Sequence, residues 1–152
     1  MIVVGLDVAT VTGWCRLEHC RYRTGLIDCT PVSEHEPEGL RFRRLADALP
    51  EILEGADAVI FERTYSRGAR VAEILNGLTA VALLVCEEYG VDYAWCDAST
   101  LKRFATGDGA ASKDAMGLAA QGELGRELTH DEADAYFLVR YGLKHFGLTE
   151  AA

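Results

Sequence analysis

The stretch Ile2-Val3-Val4-Gly5-Leu6-Asp7 is an apolar run that ends in a carboxylate, and Ala58-Val59-Ile60-Phe61-Glu62 repeats the pattern. A short uninterrupted apolar run is typical of a strand covered on both faces, in the middle of an α/β sheet. A carboxylate at its end is costly to desolvate unless it gains a partner or a metal ion. If the two strands are parallel neighbours, both acids share the edge where open α/β sheets bind ligands. The pattern therefore indicates a divalent-metal site.

The length and composition of the chain indicate one soluble globular domain. The 152 residues, 49% of them hydrophobic, are enough for a single core, so we predict one domain over residues 1–152. The formal net charge is −9. This acidic balance argues against a protein that holds nucleic acid through a broad positive field, but it is compatible with local basic strips.

The cysteines and the hydropathy pattern bear on the compartment. Five cysteines, an odd number without a C-x-x-C pair, indicate reduced buried thiols rather than a disulfide framework or a zinc cluster. No basic segment precedes the first apolar run, so no signal peptide is expected. The longest apolar run, residues 80–86, is too short to span a bilayer. We therefore predict a cytoplasmic protein without a membrane partner.

The order of the predicted elements indicates a mixed five-stranded sheet. Strands are expected at residues 2–7, 12–18, 22–27, 57–62 and 91–96. Helices are expected from 33 or 34 to 52, over 71–85 and 98–104, from 112, and over 130–145. The first three strands form an antiparallel meander and the last two are parallel. The predicted fold class is α/β, with helices on both faces of the sheet.

Three acids open the last predicted helix. Thr129 and Glu132 fit a capping box, and acids in a first helical turn complement the helix dipole. Asp134 lies beyond the capping positions and shares one helix face with Asp131 and Leu138. Two acids on the stripe that packs against the sheet are not explained by capping, so they favour a functional site.

Structural roles also remain open for the acids that end the two strands. Asp7 is followed by Thr10 and Thr12, which fits a turn where the aspartate bonds its own backbone. Glu62 precedes Arg63, so a salt bridge with that arginine or another is the alternative explanation of its position, although a weaker one.

Basic residues accompany the acids along the chain. Lys113 follows a predicted N-cap, Ser112, and a lysine in a first helical turn is unfavourable for the dipole. Lys113 fits a contact with a phosphate or with a nucleophilic water, or else a solvated side chain. Lys102 forms a basic cluster with Arg103, which is either a solvated face or a contact for phosphates. His130, beside the acids of the last helix, fits a surface histidine or a metal ligand.

The loop after Glu62 combines arginines with an aromatic side chain. Arg63, Arg67 and Arg70 surround Tyr65 in a segment that also contains a glycine. Such a cluster is often a solvated face. An aromatic among arginines beside a metal site also suits stacking on an unpaired base.

The donor types indicate which metal would bind. Carboxylates without clustered His or Cys favour hard ions, so we predict Mg²⁺, with Mn²⁺ able to substitute, rather than zinc. Two such ions about 4 Å apart can activate a water and stabilise the leaving oxygen of a phosphodiester. The predicted reaction class is metal-assisted hydrolysis.

Taken in order, these motifs resemble the RuvC family of Holliday-junction resolvases, within the RNase H-like superfamily. The resemblance runs from residue 2 to about residue 141. It rests on Gly5-Leu6-Asp7, Thr12-Gly13-Trp14, Val59-Ile60-Phe61-Glu62, Lys102, Lys113 and the stretch HDEADA at 130–135.

The resemblance implies an RNase H-like fold and a Mg²⁺-dependent endonuclease, with two ions, that nicks opposed strands of a four-way DNA junction. It implies action as a two-fold homodimer, with the helix at 71–85 in the interface. Tyr65 would stack at the junction centre, and Lys102 and Lys113 would lie near the scissile phosphate. The four metal-binding carboxylates would be Asp7, Glu62, Asp131 and Asp134.

The chain also departs from the family pattern. Val8-Ala9 stands where the family commonly has Pro-Gly, and the chain is acidic where bacterial members are usually basic. A phage-type or diverged member fits these departures better. Three alternatives remain: another RNase H-like nuclease acting on flaps, forks or RNA–DNA hybrids, a junction-binding protein that does not cut, and a fragment of an actin-like ATPase. The last requires a duplicated domain that this length does not supply.

Overall fold

Five strands and five helices follow one another in a computed structural model that describes residues 1–63, 65 and 68–148. The strands are β1 (Ile2–Asp7), β2 (Val11–Glu18), β3 (Arg21–Asp28), β4 (Ala58–Arg63) and β5 (Asp92–Asp97). The helices are α1 (Gly39–Leu53), α2 (Ala69–Tyr89), α3 (Ala98–Thr106), α4 (Lys113–Leu124) and α5 (His130–His145).

The strands form one mixed sheet in the order β3-β2-β1-β4-β5. The first three are antiparallel, while β4 runs parallel to β1 and β5 runs parallel to β4. The predicted five-stranded α/β sheet is therefore confirmed. The two apolar runs that end in carboxylates, β1 and β4, lie side by side in its centre.

Each face of the sheet has its own core. On one face α1 and α2 cover the sheet, and Leu6 and Phe61 are buried there. On the other face α5 crosses the strands, flanked by α3 and α4, and Val3 and Ile60 are buried there. Since strand side chains alternate between faces, the last acids of β1 and β4 belong to the α5 face.

Two glycines let α5 lie close to the sheet. A Cβ atom on Gly5 would lie 2.2 Å from the carbonyl oxygen of Ala135, and one on Gly13 would lie 2.1 Å from that of Asp131. No side chain fits at these distances, so both positions require glycine. The close contact brings the first turns of α5 next to the end of β1 and the start of β2.

Two sequence-based predictions are wrong in detail. The helix expected from residue 33 or 34 begins only at Gly39, because residues 31–38 form a loop in which the Glu36 carboxylate accepts bonds from Val32 N and the Arg44 guanidinium. The thiols were expected to be buried, and four are, but Cys20 is exposed in the β2–β3 turn. Its φ of 60° suits a tight hairpin and turns it away from the core.

The helix α2 is long and apolar enough, by length and composition, to cross a membrane. The shortness of the apolar run at residues 80–86 therefore does not by itself exclude a membrane span. Along one side of α2, Leu78, Ala82, Val85 and Cys86 are buried in the core. Only 22% of its most apolar window is buried, and the rest of the helix is partly or fully exposed.

Replacing Gly5 with alanine should destabilise the fold by about 3 kcal/mol, because the new methyl group overlaps the backbone of α5. Gly122→Ala is the matched control. Gly122 is exposed inside α4, and a methyl group added there would meet no atom within 4 Å, so alanine should stabilise by up to about 1 kcal/mol. Urea unfolding followed by circular dichroism measures both. Equal effects of the two substitutions would contradict the close-packing argument.

Candidate metal centre and nucleic-acid interface

The parallel pairing of β1 with β4 brings two predicted site residues together. Leu6 pairs with Phe61, so Asp7 and Glu62 are the next neighbours along the two strands. Asp7 is only 8% exposed, and Glu62 is partly buried. Both side chains belong to the α5 face at the end of the strands.

The first two turns of α5 bring the other two predicted acids to the same place. The Thr129 hydroxyl accepts a bond from Glu132 N, and the Glu132 carboxylate accepts one from Thr129 N, so the predicted capping box is present. Glu132 also accepts a bond from the Thr24 hydroxyl. Asp131 and Asp134 are free of these capping bonds, and we term the region where they meet the ends of β1 and β4 the acidic edge.

The four carboxylates interact electrostatically. Burial raises the pKa of Asp7 well above its usual value, and the charges of Glu62, Asp134 and Asp131 raise it further. Burial and the charge of Asp134 raise the pKa of Glu62 from 4.5 to about 7. The pKa of Asp134 rises from 3.8 to about 6, mainly through burial and also through Asp131. Like charges are held together here at an energetic cost.

The structural explanations for the strand-end acids do not apply. In the described part of the chain neither carboxylate accepts a side-chain hydrogen bond or forms an ion pair. The turn after Asp7 is closed by Thr12, whose hydroxyl bonds Ala9 N at 3.2 Å and Ala9 O at 2.8 Å. Arg63 pairs with Asp97 at 3.7 Å rather than with Glu62.

The donor set fits a hard divalent ion, although the side chains are not drawn together around one. Among residues 1–63, 65 and 68–148, no three His, Cys, Asp or Glu side chains are arranged to hold a metal ion. Carboxylates that lack partners and repel one another are the groups that a Mg²⁺ or Mn²⁺ ion would neutralise. The chemistry of the acidic edge thus suits the predicted metal, and the ligand roles remain a prediction.

The two predicted lysines lie close enough to act on the acids. The charge of Lys113 lowers the pKa of Asp7, Glu62 and Asp134, against the larger upward effect of burial. Lys102, on α3, acts on Glu62 and Asp134 in the same direction. Two cations therefore flank the acidic edge.

The predicted DNA-binding residues after β4 are only partly available. Arg63 lies 5.4 Å from the ring centre of Trp95 as well as pairing with Asp97. Arg70 pairs with Glu38 at 2.8 Å and with Glu73 at 3.0 Å. Tyr65 is 84% exposed, whereas Arg67 lies outside the described residues.

Some features of the site were not predicted from the sequence. His130 hydrogen-bonds Asp114 across the first turns of α5 and α4 at 3.0 Å. The glycines that admit α5 to the sheet were not singled out either. The sequence offered one signal for the contact of Asp114 with His130, namely that Asp114 directly follows the predicted site residue Lys113.

Comparison with known proteins identifies the fold. No protein-family model matches the chain, and no curated protein sequence matches it. Among solved structures, Thermus thermophilus RuvC in complex with a Holliday junction substrate is similar over 97% of both chains, with a TM-score of 0.78 and 23% identity. The fold is RuvC-like. A second Thermus thermophilus RuvC structure matches with a TM-score of 0.74 and 21% identity, over 97% of this chain and 98% of that one.

Without divalent metal, the protein should lose stability as the pH rises from about 4.5 to about 7. The raised pKa values mean that the folded state keeps protons which the unfolded chain releases in this range, so rising pH favours unfolding. Asp7→Asn removes one of the repelling charges and should raise Tm at pH 7.5 in EDTA, on the order of 5 °C.

Glu36→Gln is the control for this measurement, which scanning calorimetry provides. The Arg44 guanidinium lowers the pKa of Glu36 to about 2, so the same chemical change should lower Tm there. A lower Tm for Asp7→Asn in EDTA would contradict the repulsion at the acidic edge.

Proposed function

We propose that this protein is a Mg²⁺-dependent endonuclease that resolves four-way DNA junctions. The observation that carries the proposal is the acidic edge, where four coupled carboxylates meet on a RuvC-like fold with two lysines beside them. The similar Thermus protein is a RuvC seen with a Holliday junction substrate, which supports the choice of branched DNA.

Asp7, Glu62, Asp131 and Asp134 are proposed to hold two Mg²⁺ ions, with Mn²⁺ able to substitute. When bound, such ions supply the activation of water and the stabilisation of the leaving oxygen in phosphodiester hydrolysis. The protein contributes fixed geometry, because Asp7 and Glu62 are on central strands and the other two acids are on a helix packed closely against them.

Basic and aromatic residues around the acidic edge are proposed to hold the DNA. Lys113 and Lys102 carry positive charge beside the acids and suit the non-bridging oxygens of the scissile phosphate. Tyr65 is exposed after β4 and suits stacking on an unpaired base. Three arginines are proposed to contact the DNA backbone: Arg63, Arg67 and Arg70. To do so, Arg63 would exchange or share its partner Asp97, and Arg70 its partner Glu38.

The charges along α1 and α2 bear on how an acidic protein would bind DNA. The helix α1 starts near the acidic edge with Arg41, Arg43 and Arg44 and ends at the opposite edge with Glu51 and Glu54. In α2 the same polarity runs from Arg70 to Glu87 and Glu88. These arginines are proposed to form a local basic strip that faces the DNA, although Arg44 pairs with Glu36 and Arg70 pairs with Glu38 in the free protein.

Cleavage of a synthetic four-way junction with Mg²⁺ tests the proposal. Paired nicks, symmetric across the branch, are the expected products. Asp7→Asn and Glu62→Gln should each lower the cleavage rate by roughly a hundredfold or more, since each removes a ligand that the others cannot replace. Asp92→Asn is the matched control, since Asp92 is exposed at the opposite end of β5, and it should keep the rate within a few-fold.

The alternatives give different results in the same assay. Faster cleavage of flaps, forks or RNA–DNA hybrids would identify another RNase H-like nuclease. A gel shift without cleavage over a range of Mg²⁺ and Mn²⁺ concentrations would identify a junction-binding protein. Junction cleavage that survives both substitutions would overturn the assignment of the site.

We further propose that two copies pair through α2. This helix has 21 residues, and Val71, Ala80 and Leu84 leave apolar surface uncovered along it. A two-fold contact buries the same patch on both copies, and it would set two acidic edges against opposed strands of one junction. The same pairing accounts for an apolar helix on a protein for which we predict a cytoplasmic location.

Leu84→Glu should convert the dimer to a monomer in light-scattering measurements at micromolar concentration, because it buries a charge in the contact. Leu118→Glu on α4 is the matched control, since Leu118 is 70% exposed, against 59% for Leu84. A wild-type protein that is monomeric, or a Leu84→Glu protein that stays dimeric, would contradict pairing through α2.

A further inference from the structure

The helix α4 is fastened to α5 at both ends. At its first turn, Asp114 hydrogen-bonds His130 at 3.0 Å. At its last turn, Glu123 accepts bonds from the Tyr136 hydroxyl, at 2.7 Å, and from Arg140. Its packing is against α5 and α3, with Met116 and Ala120 buried between. The position of α4 is thus set by α5.

The first turn of α4 determines where one site cation lies. Lys113 is the first residue of α4, and its charge acts on Asp7, Glu62 and Asp134. A cation at a helix N-terminus is disfavoured by the dipole, so the helix itself does not favour lysine there. No side-chain hydrogen bond or ion pair within the described residues fixes the ammonium group.

The hydrogen bond between Asp114 and His130 joins a residue next to Lys113 to a residue next to Asp131. Asp114 directly follows Lys113, and His130 directly precedes Asp131. The bond uses His130 Nε2, which can carry a proton in the neutral imidazole as well as in the cation. The ring lies beside the next turn of α4, since a Cβ on Gly117 would make an ordinary van der Waals contact with His130 Cδ2 at 3.8 Å.

We propose that Asp114 and His130 form a positioning clamp that holds Lys113 at the acidic edge. The clamp rests on the proposed function, and neither of its two residues contacts the substrate. The capping acid Asp114 also suits the helix dipole, but that role requires no partner on α5. The far contact of Glu123 fastens the same helix without bearing on the lysine.

Kinetics on the four-way junction separate positioning from general stability. Asp114→Ala should lower kcat roughly 3- to 10-fold with a smaller change in KM, because the lysine loses its fixed position. Asp114→Asn keeps the acceptor oxygen and should restore most of the rate. Glu123→Ala breaks the far contact and should leave the rate unchanged. In a Lys113→Ala background, Asp114→Ala should have no further effect.

Lysine NMR tests the clamp without cleavage. The chain has three lysines, Lys102, Lys113 and Lys144, so ¹³C-lysine labelling gives three side-chain Cε signals. Asp114→Ala should shift the Lys113 signal alone, whereas Asp114→Asn, compared at the same pH, should shift it much less. Glu123→Ala should leave all three unchanged.

The outcomes distinguish the two proposals. Equal shifts for Asp114→Ala and Asp114→Asn, or additive losses in the Lys113→Ala background, would overturn the clamp. An inactive wild-type protein whose Lys113 signal responds as expected would overturn the proposed function and retain the clamp as a feature of the fold.

Discussion

Like charges held at a half-buried edge are the constraint around which this molecule is built. Burial and mutual repulsion raise the pKa of Asp7, Glu62 and Asp134, and no described side chain relieves the first two by a direct bond. Central strands and a closely packed helix must therefore hold the acids against their repulsion. The packing of Gly5 and Gly13 against α5 supplies that hold. A fold that tolerates such a cost gains a ready site for cations.

The sequence predicted which elements carry the candidate site residues, because its signals are local. Two apolar runs ending in acids required neighbouring buried strands, and i, i+3 spacing set Asp131 and Asp134 on one face of α5. What it could not predict depends on contacts between distant segments. The pairing of Arg63 with Asp97 follows from the β4–β5 register. The late start of α1 follows from bonds made by Glu36, and the role of Gly5 from its distance to Ala135.

The order of charges along α1 and α2 opposes the helix dipole and therefore costs stability. Neither helix has an acid in its first turn or a base in its last turn, so both forgo the usual stabilisation by the dipole. Arginines lie at the starts and glutamates at the ends of these two helices instead, whereas α5 has Asp131 and Glu132 in its first turn and Lys144 in its last. With a net charge of −9, the protein needs a local basic strip to approach DNA, and the starts of α1 and α2 supply arginines for one.

The turn after Asp7 bears on the departure from the family pattern at Val8-Ala9. In a Pro-Gly pair the proline fixes φ and the glycine allows a positive φ. Here Thr12, fully buried, bonds both the N–H and the carbonyl of Ala9, and Val8 packs into the core. The two bonds of the Thr12 hydroxyl and the burial of Val8 hold this turn without proline or glycine. Asp7 thus needs no bond to its own backbone, and its carboxylate stays available at the acidic edge.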